Sequence, residues 1–296
     1  MLEYFAKTPY KAATFTQMEA WNALMPGVTE VGYAKMVEGL ASIDDVAVSA
    51  ITYESDGLKI TGVEVLPAPL PPEKMPLLIY NRGGSGNFGM LNASQIRWMM
   101  AEPARQWKMG VLASNYRGNG GSEGREEWGG AELNDILALI EIGKAQPWWD
   151  GKNIFMLGWS RGGMMTYLSI KHGLPITAAA VGAGAADIAY GNQLRPEMEK
   201  VCERFIPNYE ENREQALSER SAVCWPEAID VPTLILHGDT DMRVNVEEAR
   251  QLYAKLSALG KPAKYVEYAG GDHGLWNHYY AYMDEIARWF TEHQKR

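Results

Sequence analysis

Cysteine is scarce in this chain. Two residues, Cys202 and Cys224, stand among 296, too few for a disulfide-held scaffold and without the spacing of a zinc or redox motif. Two buried thiols are the expected reading, with a bridge between them left open because both fall in one segment. Long apolar runs are also missing. No stretch of about 18 apolar residues occurs, which excludes a transmembrane helix. Basic clusters are absent, and 37 acidic against 28 basic residues set a formal net charge of -9. Neither nucleic acid nor an anionic membrane surface is therefore an expected partner. Residues Met1 to Lys7 lack a charged stretch followed by an apolar one, so no secretory signal is read there and a cytoplasmic location is expected. No internal repeat or low-complexity tract is evident.

What is present suits one large α/β domain with a small appendage. Phe15, Met18, Trp21 and Met25 recur at helical spacing before Pro26-Gly27, which predicts a separate N-terminal helical arm over residues 1–42. Val46 to Tyr53 and Lys59 to Leu66 alternate around Ser55-Asp56-Gly57, a hairpin signal. After a proline-rich connector the pattern alternates: strand 77–80, helix 94–108, strand 111–116, helix 131–145, strand 154–157, helix 162–172, strand 178–181. Such alternation predicts a mostly parallel twisted sheet with helices on both faces, here over residues 43–296. Residues 185–228 break the rhythm with charged helical pieces and read as a cap-like insert ahead of the strand at 233–236.

Gly158-Trp159-Ser160-Arg161-Gly162 reads G-x-S-x-G between the strand-like 153–157 and a helical run. In that context the turn is so tight that glycines must flank the serine, and the Ser160 hydroxyl is lifted above the sheet as a nucleophile. A serine needs a base, and the base an orienting acid. Two loops at strand ends supply them. One is His237-Gly238-Asp239-Thr240-Asp241 and the other Gly271-Asp272-His273-Gly274. The chain order Ser160, Asp241, His273 fits a triad, whereas His237 precedes the acid and is out of order. The bland alternatives are turn-forming aspartates and a solvated histidine.

These stretches, with Asn115-Tyr116-Arg117-Gly118, resemble the alpha/beta-hydrolase superfamily and, within it, the catalytic domain of the prolyl oligopeptidase (S9) family. The resemblance covers roughly residues 45–290. It implies that the acid is the Asp two residues before Arg243-Val244, which selects Asp241 over Asp239. It also implies an oxyanion hole from the backbone N–H groups of Arg161 and of Gly84 in the turn after strand 77–80. Two departures stand out. The chain has no room for the large β-propeller of the best-known members, and the family's His-Gly-Gly is Arg82-Gly83-Gly84 here, which puts Arg82 among the candidate substrate-facing residues.

A rival lies in the same loop. Gly84 to Gly89 spells G-x-G-x-x-G, and Arg117 stands where it could meet a 2′-phosphate, so an NADP-binding oxidoreductase is an alternative, although the expected acidic residue is missing. A Walker-type loop is excluded for want of a following Gly-Lys-Ser/Thr. Trp159 and Trp276 flank nucleophile and base as candidate pocket walls, the alternative being core packing. The expectation is a serine hydrolase that needs no metal or organic cofactor. Peptidase action on short peptides is implied by the resemblance; a carboxylesterase and an inactive hydrolase-like binding protein are the alternatives. With no propeller, access would be gated by the insert, the N-terminal arm or a neighbouring subunit of a homo-oligomer.

Overall fold

The computed structural model describes residues 4–9, as backbone, and 45–296. The helices expected before residue 43 lie outside the described residues, except that Tyr4–Pro9 is strand β1 rather than helix. It pairs antiparallel with β2 (Val46–Ser55), and β2 pairs with β3 (Leu58–Pro67). The β2–β3 connection is the predicted hairpin, and Ser55 pairs with Leu58 so that two residues make the turn. Asp56 and Gly57 have φ of 51° and 77°, the double positive φ that lets a tight turn follow the strand twist.

From β3 the chain enters the parallel body of the sheet. Among the described residues, β4 (Met75–Asn81), β5 (Gly110–Ser114), β6 (Trp149–Trp159), β7 (Ala178–Gly182), β8 (Thr233–Gly238) and β9 (Ala263–Tyr268) complete a nine-stranded sheet in the order β1-β2-β3-β5-β4-β6-β7-β8-β9. All pairs from β5 to β9 are parallel, and β3 joins β5 antiparallel. β4, β5, β7 and β8 are buried along their whole length, which is why they read as continuous apolar runs rather than alternating ones.

Helices cover both faces, and strand periodicity deals side chains to each. Leu77 and Ile79 of β4 join the core under α2 (Glu132–Lys144) and α3 (Arg161–Lys171). Leu78 and Tyr80 join the opposite core under α1, a three-part helix of Ala93–Gln95, a π-helical Ile96–Ala101 and Glu102–Gln106, and under the C-terminal helix Tyr279–His293. Each fully buried aliphatic side chain contributes about 1.5–3 kcal/mol. Trp148 plugs the edge opposite the loops that carry the candidate triad, and a Cβ on Gly110 would come within 2.3 Å of its ring.

The interruption between β7 and β8 holds α4 (Ile188–Leu194), α5 (Glu197–Phe205) and α6 (Arg213–Arg220). It is not detached from the body. Ile206, Tyr209, Leu217 and Trp225 belong to the main core, and Arg220 donates to the carbonyls of Trp128 and Glu127 at 2.8 and 3.2 Å. Both thiols are free; Cys202 is buried as expected, but Cys224 is exposed.

Candidate active site

The turn at Ser160 has the geometry its glycines foretell. Ser160 is held at φ 59°, a left-handed conformation costly for a residue with a Cβ. A Cβ on Gly158 would lie 2.1 Å from Gly162 O, and one on Gly162 1.9 Å from Asn81 O. Only hydrogen fits at either place. β6 thus turns directly into α3 with Ser160 at the crest, its N–H bonded to Gly182 O at 2.9 Å.

The loops carrying Asp241 and His273 leave β8 and β9 side by side. His273 Nδ1 lies 2.8 Å from Asp241 Oδ2. Asp241 Oδ1 accepts the N–H groups of Arg243 and Val244 at 2.7 and 3.0 Å. His237 Nε2 stands 2.9 Å from Val244 O and 3.2 Å from Asp241 Oδ2. A carbonyl only accepts, so this nitrogen carries the proton. His237 is fully buried behind Asp241. Burial pushes the Asp241 carboxyl up, but the hydrogen bonds from His237 and His273 outweigh it and hold the group well below the ordinary carboxylate range. Asp239, the rival acid, is a turn former whose Oδ1 accepts Gly270 N–H at 2.6 Å. Thr240 Oγ1 binds Gly271 O at 2.8 Å, a second staple between the two loops that no motif announces.

Ser160, Arg161 and His273 line one cleft of about 1200 Å³ together with Gly83, Gly84, Trp159 and Trp276. Among the described residues no hydrogen bond joins Ser160 Oγ to the His273 ring; such bonds commonly align only once a substrate is bound. Trp159 faces the cleft and donates its indole N–H to His273 O at 2.8 Å. Trp276 is a rim residue, 56% exposed, and meets Trp98 edge-on at 6.3 Å. The insert also lines this cleft, through Ile188, Asn192, Met198, Val201 and Phe205.

Two expectations change. Arg82 does not face substrate: it is fully buried. Its Nε and Nη2 bond Asn115 O at 3.0 and 2.8 Å. Its Nη1 bonds Gly83 O at 3.0 Å. Burial, reinforced by the neighbouring Arg161, draws its pKa down to about 10. Arg117 is likewise spent, on Asp135 and Asp56 at 2.7 Å each, and so has no fork to offer a 2′-phosphate. The glycine loop packs against Ser160, since a Cβ on Gly83 would lie 3.2 Å from Ser160 Cβ. That placement favours an oxyanion loop over a dinucleotide cradle. Among the described residues no cluster of three or more His, Cys, Asp or Glu is arranged to hold a metal ion, and no helix is long and apolar enough to cross a membrane.

A mostly parallel sheet with a strained serine at the β6–α3 crossing, and the Asp241 and His273 loops at neighbouring strand ends, has the architecture of an alpha/beta hydrolase. Residues 95–296 match the model of the prolyl oligopeptidase family. The chain belongs to that family and is a hydrolase of the serine-peptidase type. It is 27% identical over 215 residues to the uncharacterized peptidase YtmA of Bacillus subtilis, covering 72% of this chain and 81% of that protein. It is also 27% identical over 262 residues to the uncharacterized peptidase YuxL of the same organism, of which it spans 38%. Among solved structures, Pyrococcus horikoshii acylaminoacyl peptidase superimposes with a TM-score of 0.69 at 21% identity, over 86% of this chain and 43% of that one. An esterase of Pyrococcus furiosus superimposes with a TM-score of 0.64 at 14% identity, over 84% of this chain and 91% of that one. The chain thus spans less than half of the acylaminoacyl peptidase but most of YtmA and of the esterase.

Proposed function

We propose that the chain cleaves short peptides through a Ser160–His273–Asp241 triad and an acyl-enzyme. The observation that carries this reading is the Asp241–His273 pair at 2.8 Å, opening onto the same cleft as a serine held at φ 59°. Asp241 accepts the Nδ1 proton of His273, which leaves Nε2 as the basic nitrogen. His273 then takes the Ser160 proton as Oγ attacks the acyl carbonyl. The tetrahedral oxyanion is met by the backbone N–H groups of Gly84 and Arg161, which are fixed before the reaction begins. His273 returns the proton to the leaving amine, and water hydrolyses the ester in the reverse sequence. Trp159 and Trp276 wall the acyl side, and the insert α4–α5 closes the other.

The peptide assignment draws on the family and on the names of the relatives. One observation favours ester cleavage as a second reading: the esterase neighbour is matched over 91% of its length. The test is a panel of aminoacyl-nitroanilides and p-nitrophenyl esters of varied acyl length, run on one preparation beside Ser160→Ala. Turnover of a nitroanilide that vanishes in Ser160→Ala is expected. Turnover of esters alone would move the assignment to the esterase reading, and turnover that survives in Ser160→Ala would refute the triad.

A further inference from the structure

Gly84 is flanked by two arginines that grip the peptide groups on either side of it. Arg82 Nη1 donates to Gly83 O at 3.0 Å. Arg161 Nη1 donates to Gly84 O at 2.9 Å. A trans peptide is planar, so its N–H points away from its C=O. Holding Gly83 O therefore sets the direction of the Gly84 N–H, and holding Gly84 O fixes the next plane along. Gly84 itself has φ 73°, a conformation open to glycine and, without a brace, one that its missing side chain leaves free to wander.

The two guanidinium groups are built into the interior. Both lie over the Tyr116 ring, at 4.9 and 5.3 Å from its centre. Arg161 is 4% exposed and is balanced by two buried carboxylates. Its Nη2 donates to Glu132 Oε1 at 2.8 Å. Its Nη1 stands 2.7 Å from Glu126 Oε1, an ion contact whose angle leaves that oxygen without an aligned hydrogen bond. Glu126 Oε2 reaches back to the loop and accepts Gly86 N–H at 2.8 Å, while Arg82 Nη2 touches Gly86 O at 3.4 Å. The glycine loop is thus held at Gly83 O, Gly84 O, Gly86 N and Gly86 O by one ionic cluster, and Arg161 belongs to the nucleophile turn as well. The serine and the loop opposite it are therefore tied into one unit. Two cations matched by two anions also leave the oxyanion to be stabilised by oriented N–H groups rather than by a bare excess of charge.

We propose that the side chains of Arg82 and Arg161 are the positioning residues of the oxyanion hole, clamping the Gly83–Gly86 loop so that the Gly84 N–H is aimed at the developing oxyanion. The inference rests on the proposed triad. It also gives a role to the arginine that stands directly ahead of Gly83-Gly84, and to the one that follows Ser160.

A misaimed donor weakens binding of the transition state while leaving the ground state almost untouched, so the clamp has a kinetic signature that mere loss of packing lacks. Arg82→Met and Arg161→Met are compared with wild type on a p-nitrophenyl ester, with an alkyl boronic acid as the tetrahedral mimic. Each is expected to lower kcat about 10²-fold, the scale of losing one oxyanion donor, with KM within about threefold. The boronate Ki should weaken in step with kcat/KM, and Arg82→Lys, which can reach one carbonyl but not fork across two, should recover part of the loss. Because removing Arg161 strands two buried carboxylates, Glu126→Gln carries the test if the methionine variants do not fold. It is expected to lose kcat roughly tenfold at constant KM, since it removes one brace and spares the rest. Folded variants whose kcat stays within threefold of wild type, or whose KM alone rises with the boronate Ki unchanged, overturn the clamp. Mapping a fluorophosphonate adduct in the same preparations separates the two ideas: label on Ser160 with unchanged kcat removes the clamp alone, and a wild type unlabelled at Ser160 removes the triad and the clamp together.

Discussion

The Trp159 indole N–H donates to His273 O at 2.8 Å, so the residue before Ser160 holds the loop that carries His273. The bond spans from β6 to the loop after β9, across two intervening strands. Trp159→Phe keeps the ring against Tyr282 but drops this tether. A hydrogen bond of this kind is worth about 0.5–1.5 kcal/mol. The variant should fold, with kcat falling up to about tenfold and the substrate profile shifting at the acyl side. Steady-state kinetics beside a thermal melt check this; an unchanged kcat would free Trp159 from any part in placing His273.

Asp241, the proposed acid, is distinguished from Asp239 by what each binds. Asp241 accepts from two backbone N–H groups and contacts two histidines, whereas Asp239 accepts Gly270 N–H in an exposed turn. Asp241→Asn should reduce kcat by roughly 10⁴, because the imidazole would take the wrong tautomer, and Asp239→Asn by less than about tenfold. The folded Asp241 carboxyl is depressed below its unfolded value of about 3.9. Its contribution to stability is therefore full above that pH and is lost as pH falls toward the folded value. Acid melts of Asp241→Asn should show a shallower decline below about pH 4. Equal kinetic losses at the two positions would undo the assignment.

Glu248, on the helix Val246–Ala258, carries a different pH signature. It is buried beside the insert, and its Oε2 accepts the N–H groups of Ala186 and Asp187 at 2.9 and 3.0 Å. Burial outweighs those bonds and pushes its pKa up to about 7. The folded state thus keeps a proton that the unfolded chain releases near pH 4.3, and wild-type stability from this group declines as pH rises through that window and levels off above about pH 7. Glu248→Gln cannot titrate. Its melting temperature relative to wild type should climb by several degrees between pH 5 and pH 8. A difference that stays flat over that range would mean that Glu248 is ionised in the fold.

Much of this architecture is legible in the sequence because local rules and burial agree. The alternation of strands and helices from Leu77 to Val181 appears within a few residues of its predicted bounds, since two-sided burial makes apolar strands unmistakable. The order of Ser160, Asp241 and His273 predicts a meeting point, and the fold brings the three loops to one edge. Other features depend on partners distant in sequence. Arg82 reads as available to substrate because a sequence gives no sign that Asn115 O and Gly83 O will claim its donors. Strand β1 escapes the pattern because an edge strand of six residues leaves little periodicity to read. The Trp159–His273 bond spans 114 residues, a separation over which no pattern of spacing applies.

Ser160 is the proposed nucleophile. Its most direct test is a fluorophosphonate reacted with the purified chain, followed by intact-mass and peptide mass spectrometry of wild type and Ser160→Ala. One adduct per chain, located on Ser160, abolished in Ser160→Ala and strongly slowed in Asp241→Asn, is the predicted result. An adduct on another serine, or equal labelling of Ser160→Ala, would contradict the account.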